Sequence, residues 1–156
     1  MITTMKNRIF SLVAVLLISM TTFAQTKGIR KSNSANKKLM LNIVDNLFNK
    51  GDTTFADKYF VPEFAKEEKA FTQQIRTAFP DLTITVDIMV AENEMVAARW
   101  IASGTQKGAF LGVSPTNKKV SWKGSWFWTF KNGIVTDGMG KGSWDALGLI
   151  KQLQSK

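Results

Sequence analysis

The chain has 156 residues, 44% hydrophobic and 21% charged, which is an ordinary globular mixture for one domain and too apolar for a disordered segment. It contains neither Cys nor His, which excludes disulfides, thiol nucleophiles, imidazole bases, Ser-His-Asp triads and ordinary zinc sites; catalysis would have to run on carboxylate, hydroxyl, amine or backbone groups. Lys and Arg number 21 against 12 Asp and Glu, a net charge of +9 that at face value points to a nucleic acid or an anionic surface.

The first elements remove most of that charge. Lys6 and Arg8 precede an apolar run from Ile9 to Met20, and small and polar residues follow up to Ala24. This is the layout of a signal peptide cleaved after Ala24, and the run is well short of the roughly 20 residues that span a bilayer. Export to the periplasm or the extracellular space is therefore expected, with no stable membrane anchor once the signal is gone. Residues 25–38 are polar and basic without periodicity, as in a flexible leader. All 12 acids lie in 39–156 against 14 of the bases, so the domain itself carries only +2. A nucleic-acid face is thereby disfavoured.

From Ser34 the pattern turns helical: Met40, Ile43, Val44, Leu47 and Phe48 share one face, and Gly51 stops the helix. A short second helix carries Phe55, Tyr59 and Phe60 and is limited by Pro62. A third, from Glu63 to Ala78, shows Phe71, Ile75 and Phe79 at intervals of four and ends at Pro80. On that helix Glu67 and Glu68 read as a solvated face.

Beyond Pro80 the period becomes two. Leu82, Ile84, Val86, Ile88 and Val90 define the apolar face of a first strand. A second, Met95 to Thr105, puts Val96, Ala98, Trp100 and Ala102 on one side and Ala97, Arg99 and Ile101 on the other. The third, Val120 to Phe130, aligns Trp122, Trp126, Trp128 and Phe130. After the Asn132-Gly133 turn the register of the returning strand has two solutions. A two-residue turn pairs Trp128 with Asp137; a three-residue turn lays the tryptophans over Gly138, Gly140 and Gly142. Gly138 to Gly142 matches no phosphate-loop pattern and reads as a flexible or bulged strand. A short helix, Ala146 to Leu153, closes the chain. Helices followed by an antiparallel meander give an α+β architecture with helices laid on one face of a curved sheet.

The runs AFPDLTITVD (78–87), VAARWIASGTQKGAFLGVSPTNKKV (96–120) and WDALGLIKQL (144–153) resemble the SnoaL-like polyketide and ester cyclases of the nuclear transport factor 2-like superfamily. The resemblance implies a cone of strongly curved sheet closed by helices around an apolar pocket, and a homodimer formed through the sheet. It also implies acid/base cyclisation without cofactor or metal, with Asp145 in the position of the family's catalytic aspartate. A His-bearing loop usual in the family is missing where Phe64-Ala65 runs straight into Lys66.

On chemistry alone, Asp145 beside Trp144 is either a poorly solvated proton carrier at a pocket mouth or the N-cap of the last helix. Asp137 is the second catalytic candidate, conditional on the two-residue register. Trp100, Trp122, Trp126, Trp128, Phe71 and Ile75 are the candidates to line a pocket for a small hydrophobic molecule. Arg99 reads as an ordinary outer-face arginine. The expected activity is a cyclase or isomerase acting on a small hydrophobic carbonyl compound or ester; the alternative is a ligand-binding or dimerisation module of the same fold.

Overall fold

The computed structural model describes residues 32–138 and 141–155. The expected signal peptide and residues 25–31 of the expected leader lie outside the described residues. Helix α1 covers 32–49, α-helical over 32–43 and π-helical over Val44–Asn49. It thus begins before Ser34, and the last seven residues assigned to the leader belong to it, anchored by the buried Asn36 and by Asn33, whose amide donates to Ala91 O at 3.2 Å. Helices α2 (Thr54–Tyr59) and α3 (Pro62–Ala78) follow. Pro62 starts α3 rather than ending α2, because proline has no N–H to lose at the first helical position. Among the described residues no helix is long and apolar enough to cross a membrane.

Strands β1 (Thr83–Glu92), β2 (Met95–Thr105), β3 (Lys119–Lys131) and β4 (Ile134–Asp137) form an open antiparallel meander, and β5 (Ser143–Trp144) pairs with β3 further along the edge that β4 leaves. Helix α4 (Ala146–Gln154) returns beside β3, where the Gln152 amide accepts from Ser121 N–H (3.1 Å) and donates to Ser121 O (2.8 Å). The helices pack on the inner face of the sheet. Met40, Ile43, Leu47 and Phe48 of α1 are fully buried with Val96, Ala102, Trp128 and Phe130 of the strands.

The first strand departs from its sequence pattern. Its ladder to β2 skips a residue between Val86 and Ile88, a β-bulge at Asp87. The extra residue reverses the faces, so Met89 and Ala91 turn inward while Ile88 and Val90 stand 49% and 61% exposed. Arg99 of β2 holds the bulge from outside, donating to both Asp87 carboxylate oxygens at 2.5 to 3.1 Å. Strand β2 keeps the expected alternation throughout.

The Asn132-Gly133 hairpin combines features of both expected registers. Lys131 pairs with Ile134 across a two-residue turn in which Asn132 (φ 50°) and Gly133 (φ 78°) both adopt the left-handed region. A bulge then slips the ladder by one, so that Thr129 opposes Asp137 and Trp128 lies over Gly138. By β5 the register has slipped again, Ser125 pairing with Ser143 where Lys141 would otherwise stand.

Candidate functional site

A pocket of about 330 Å³ opens between α3 and the strands. Helix α3 contributes Glu67, Glu68 and Phe71; β2 contributes Trp100; β3 contributes Ser125, Trp126 and Trp128; the far wall is Gly138, Gly142, Ser143 and Trp144. Its tryptophans pack on one another. Trp126 is the hub, with its ring 5.0 Å from Trp100, 5.3 Å from Trp128 and 5.3 Å from Phe48, the last pair nearly parallel. Phe60 meets Trp128 edge to face at 5.4 Å from behind.

The double slip of the β3 edge is what makes room for these rings. A side chain at Gly138 would meet Trp128 Cδ1 at 2.5 Å, and one at Gly124 would meet Trp100 Cζ2 at 2.4 Å. Both glycines are therefore sites of close approach, where an indole occupies the space of the missing Cβ.

Glu68 is the chemically distinctive member of the pocket. Its half-buried carboxyl has no hydrogen-bond or ion-pair partner among the described residues, and its pKa is pushed up to about 7 by desolvation first and by the neighbouring Glu67 second. Near neutrality it is therefore available as either acid or base. Three further polar groups accompany it. Trp100, which lines the pocket, is buried with no acceptor for its indole N–H among the described residues. Ser125 and Ser143 face each other across the β3–β5 ladder with their hydroxyl oxygens 3.4 Å apart.

The residues singled out from sequence divide between this pocket and other places. Trp100, Trp126, Trp128 and Phe71 line it. Trp122 does not: two turns of the pleat away from Trp126, it packs against Phe79 (5.0 Å) deep in the core. Ile75 does not either, since one further turn of α3 carries it past the opening and into the core.

Neither aspartate reaches the pocket wall. Asp145 is exposed and its carboxylate accepts from Gly148 N–H at 2.8 Å, capping α4, while its own N–H donates to Lys123 O at 2.9 Å. Asp137 is carried to the Thr129 row by the hairpin bulge and pairs there with Lys141, whose hydrogen bond and charge hold the carboxyl below its usual range.

Glu68 itself was misread as solvated, and a signal for it existed. Phe64, Glu68, Phe71 and Ile75 follow one another at helical spacings of four, three and four, so the carboxylate interrupts an apolar stripe. Anchoring the stripe on Phe79 hides this, because Phe79 lies just past the helix end.

Comparison with known proteins agrees with the geometry. The structure is similar to TsrD from Streptomyces laurentii (TM-score 0.69, 24% identity, 77% of this chain and 95% of that one). It is similar also to AclR from Streptomyces galilaeus (TM-score 0.66, 26% identity, 77% and 96%). A third likeness is to a SnoaL-like polyketide cyclase from Agrobacterium tumefaciens (TM-score 0.63, 17% identity, 76% and 97%). No curated protein matches the chain in sequence. The family model of the SnoaL-like polyketide cyclases matches residues 38–153, from within α1 to the end of α4. The chain belongs to the SnoaL-like polyketide cyclase family.

Proposed function

We propose that this is an exported protein whose aromatic pocket performs cofactor-independent acid/base chemistry, a cyclisation or isomerisation, on a small hydrophobic carbonyl compound or ester. Glu68 moves the proton in place of the expected Asp145. The observation that carries this reading is a carboxyl with a pKa of about 7 in a wall of tryptophans. A base of that strength is matched to removing a proton from carbon next to a carbonyl at neutral pH.

The step balances without a co-reactant. The Glu68 carboxylate takes the proton, and the C–H electron pair moves into the carbonyl to give an enolate. The enolate carbon attacks a second carbonyl of the same molecule, forming the ring bond. Glu68 then returns its proton to the new alkoxide. An isomerisation uses the first half alone, with the proton returned to a different carbon.

The test is exchange of the activated C–H for deuterium, followed by NMR over a panel of aryl ketones and β-keto esters. Glu68→Gln is expected to lower the catalysed rate by about 10²–10⁴-fold, and Asp145→Asn to leave it within a few-fold. Exchange that survives Glu68→Gln overturns the assignment. A second reading, a ligand-binding module without turnover, is favoured by one observation: the aspartate matching the family's acid/base residue is engaged in capping α4. Ligand retained by the pocket with no exchange in the intact protein would select it.

Export rests on the sequence of residues 1–24. Protein recovered from outside the cytoplasm should lack these residues by mass spectrometry; a full-length mass there would refute cleavage after Ala24.

A further inference from the structure

The pocket also selects for charge. Two carboxylates, four indoles and one phenyl ring line it, and no basic side chain does so among the described residues. Three lysines of the flanking segments lie outside the lining. Lys69 of α3 pairs with Asp57 of α2 at 2.5 Å, Lys141 pairs with Asp137, and Lys66 is exposed outside the wall. Glu68 is therefore a half-buried carboxyl with no counter-charge in the pocket lining among the described residues.

We propose that the pocket takes an organic cation, a quaternary or protonated amine on a small apolar body, with the ammonium seated between the Glu68 carboxylate and Trp126 and Trp144, the two partly exposed indoles of the lining. The proposal rests on the Glu68 pocket described above, and it names the ligand's charge, which the proton-transfer reading leaves open.

The physical case has three parts. The face of an indole is the negative pole of the ring quadrupole, and a cation brought against a partly exposed indole recovers part of what it loses in shedding water. An anion would meet the same faces and two carboxylates, and a neutral ligand would gain from apolar burial alone. Finally, the cavity of about 330 Å³ falls at the small end of the range of ligand sites, enough for a trimethylammonium head and a short body.

A cation also removes the reason Glu68 holds its proton. Binding drives the carboxyl to ionise and releases that proton to solvent. Affinity should therefore rise with pH, by up to about tenfold between about pH 6 and about pH 8, and level off above the Glu68 pKa. Glu67 is the other carboxyl on this wall, and its charge also attracts a cation.

The experiment titrates the tryptophan fluorescence of the whole protein with acetylcholine and with 3,3-dimethylbutyl acetate, the same ester with carbon in place of the charged nitrogen. Acetylcholine is expected to bind more tightly than the neutral ester by about tenfold or more. Glu68→Gln should abolish both the preference and its pH dependence, with near-ultraviolet circular dichroism establishing that the variant is folded. Glu68→Asp should retain part of the preference. Equal binding of the two esters, binding of neither at millimolar concentration, or a preference undiminished in Glu68→Gln would each overturn the proposal. Equal binding with Glu68-dependent carbon-acid exchange intact would overturn the cation preference alone. A preference that holds while exchange is absent supports the cation site and removes the proton-transfer reading instead.

Discussion

Glu68 imposes a cost on the fold that can be measured. In the unfolded chain its carboxyl titrates near 4.5, and in the folded one near 7. Between those values the folded state holds more protons, so stability falls as pH rises, and it is level below and above the window. At about 1.4 kcal/mol per pKa unit the full difference is at most about 3–4 kcal/mol. Urea unfolding of Glu68→Gln should show this decline gone and the variant more stable than the parent above pH 7; equal stability of the two proteins at high pH would refute the buried carboxyl. Such a gain on losing a charged group is the mark of a site maintained against stability. Sequence reading identified three of the pocket's tryptophans because large aromatics on an alternating strand declare their face, and Phe71 from its place in a helical stripe. It missed Glu68 because a glutamate on an amphipathic helix is read by type, and its burial depends on which strands the helix lies against.

At the scale of elements, two side-chain amides finish the sheet where backbone partners run out. Asn49, in the π-helical turn of α1, accepts from Ile84 N–H at 2.7 Å and donates to Ile84 O at 3.1 Å, standing in for a neighbouring strand on the free edge of β1. Gln152 of α4 does the same for Ser121 on β3. Edges left unpaired invite association with other chains, and both are covered from within. Asn49→Ala should lower stability by about 1–3 kcal/mol in urea, since Ile84 would keep two half-buried groups without partners; a loss no greater than that of an exposed alanine substitution would show the contact to be incidental. The elements themselves were legible, because three amphipathic helices and a period-two meander leave few alternatives. The bulges at Asp87 and in β4 were not. A bulge changes which residues share a face without changing the residues, so Ile84, Val86, Ile88 and Val90 read as one continuous stripe until the ladder with β2 is known.

Over the whole molecule, the Asp87 bulge has a consequence on the outer face of the sheet. It turns Ile88 and Val90 outward beside Ile101, Met95 and Phe127, each about two-fifths exposed or more, with Val90, Ala97 and Phe127 in one cross-strand row. We propose this apolar face as the surface of the homodimer that the family resemblance implies, a second copy covering side chains that a lone domain leaves in water. Sedimentation should find the protein dimeric and Val90→Lys monomeric, with tryptophan fluorescence unchanged because the pocket is on the other side; a parent protein that sediments as a monomer would dismiss the interface.

The sequence by itself determined the family, the order of elements and the inward set of tryptophans, all of which depend on local periodicity and on motifs carried along the chain. Its net charge of +9 proved to describe mainly the segment ahead of the domain, and its lack of His and Cys narrowed the available chemistry to groups such as a carboxylate. Tertiary structure alone singles out one of those carboxyls, Glu68, for the role proposed above. The choice of Glu68 over Asp145 and Asp137 required the packing of α3 across β3, two slips of register along one strand edge, and a helix whose first turn needed a cap. Solvation and pairing, which set a carboxyl's chemistry, are properties of neighbours far apart in the chain.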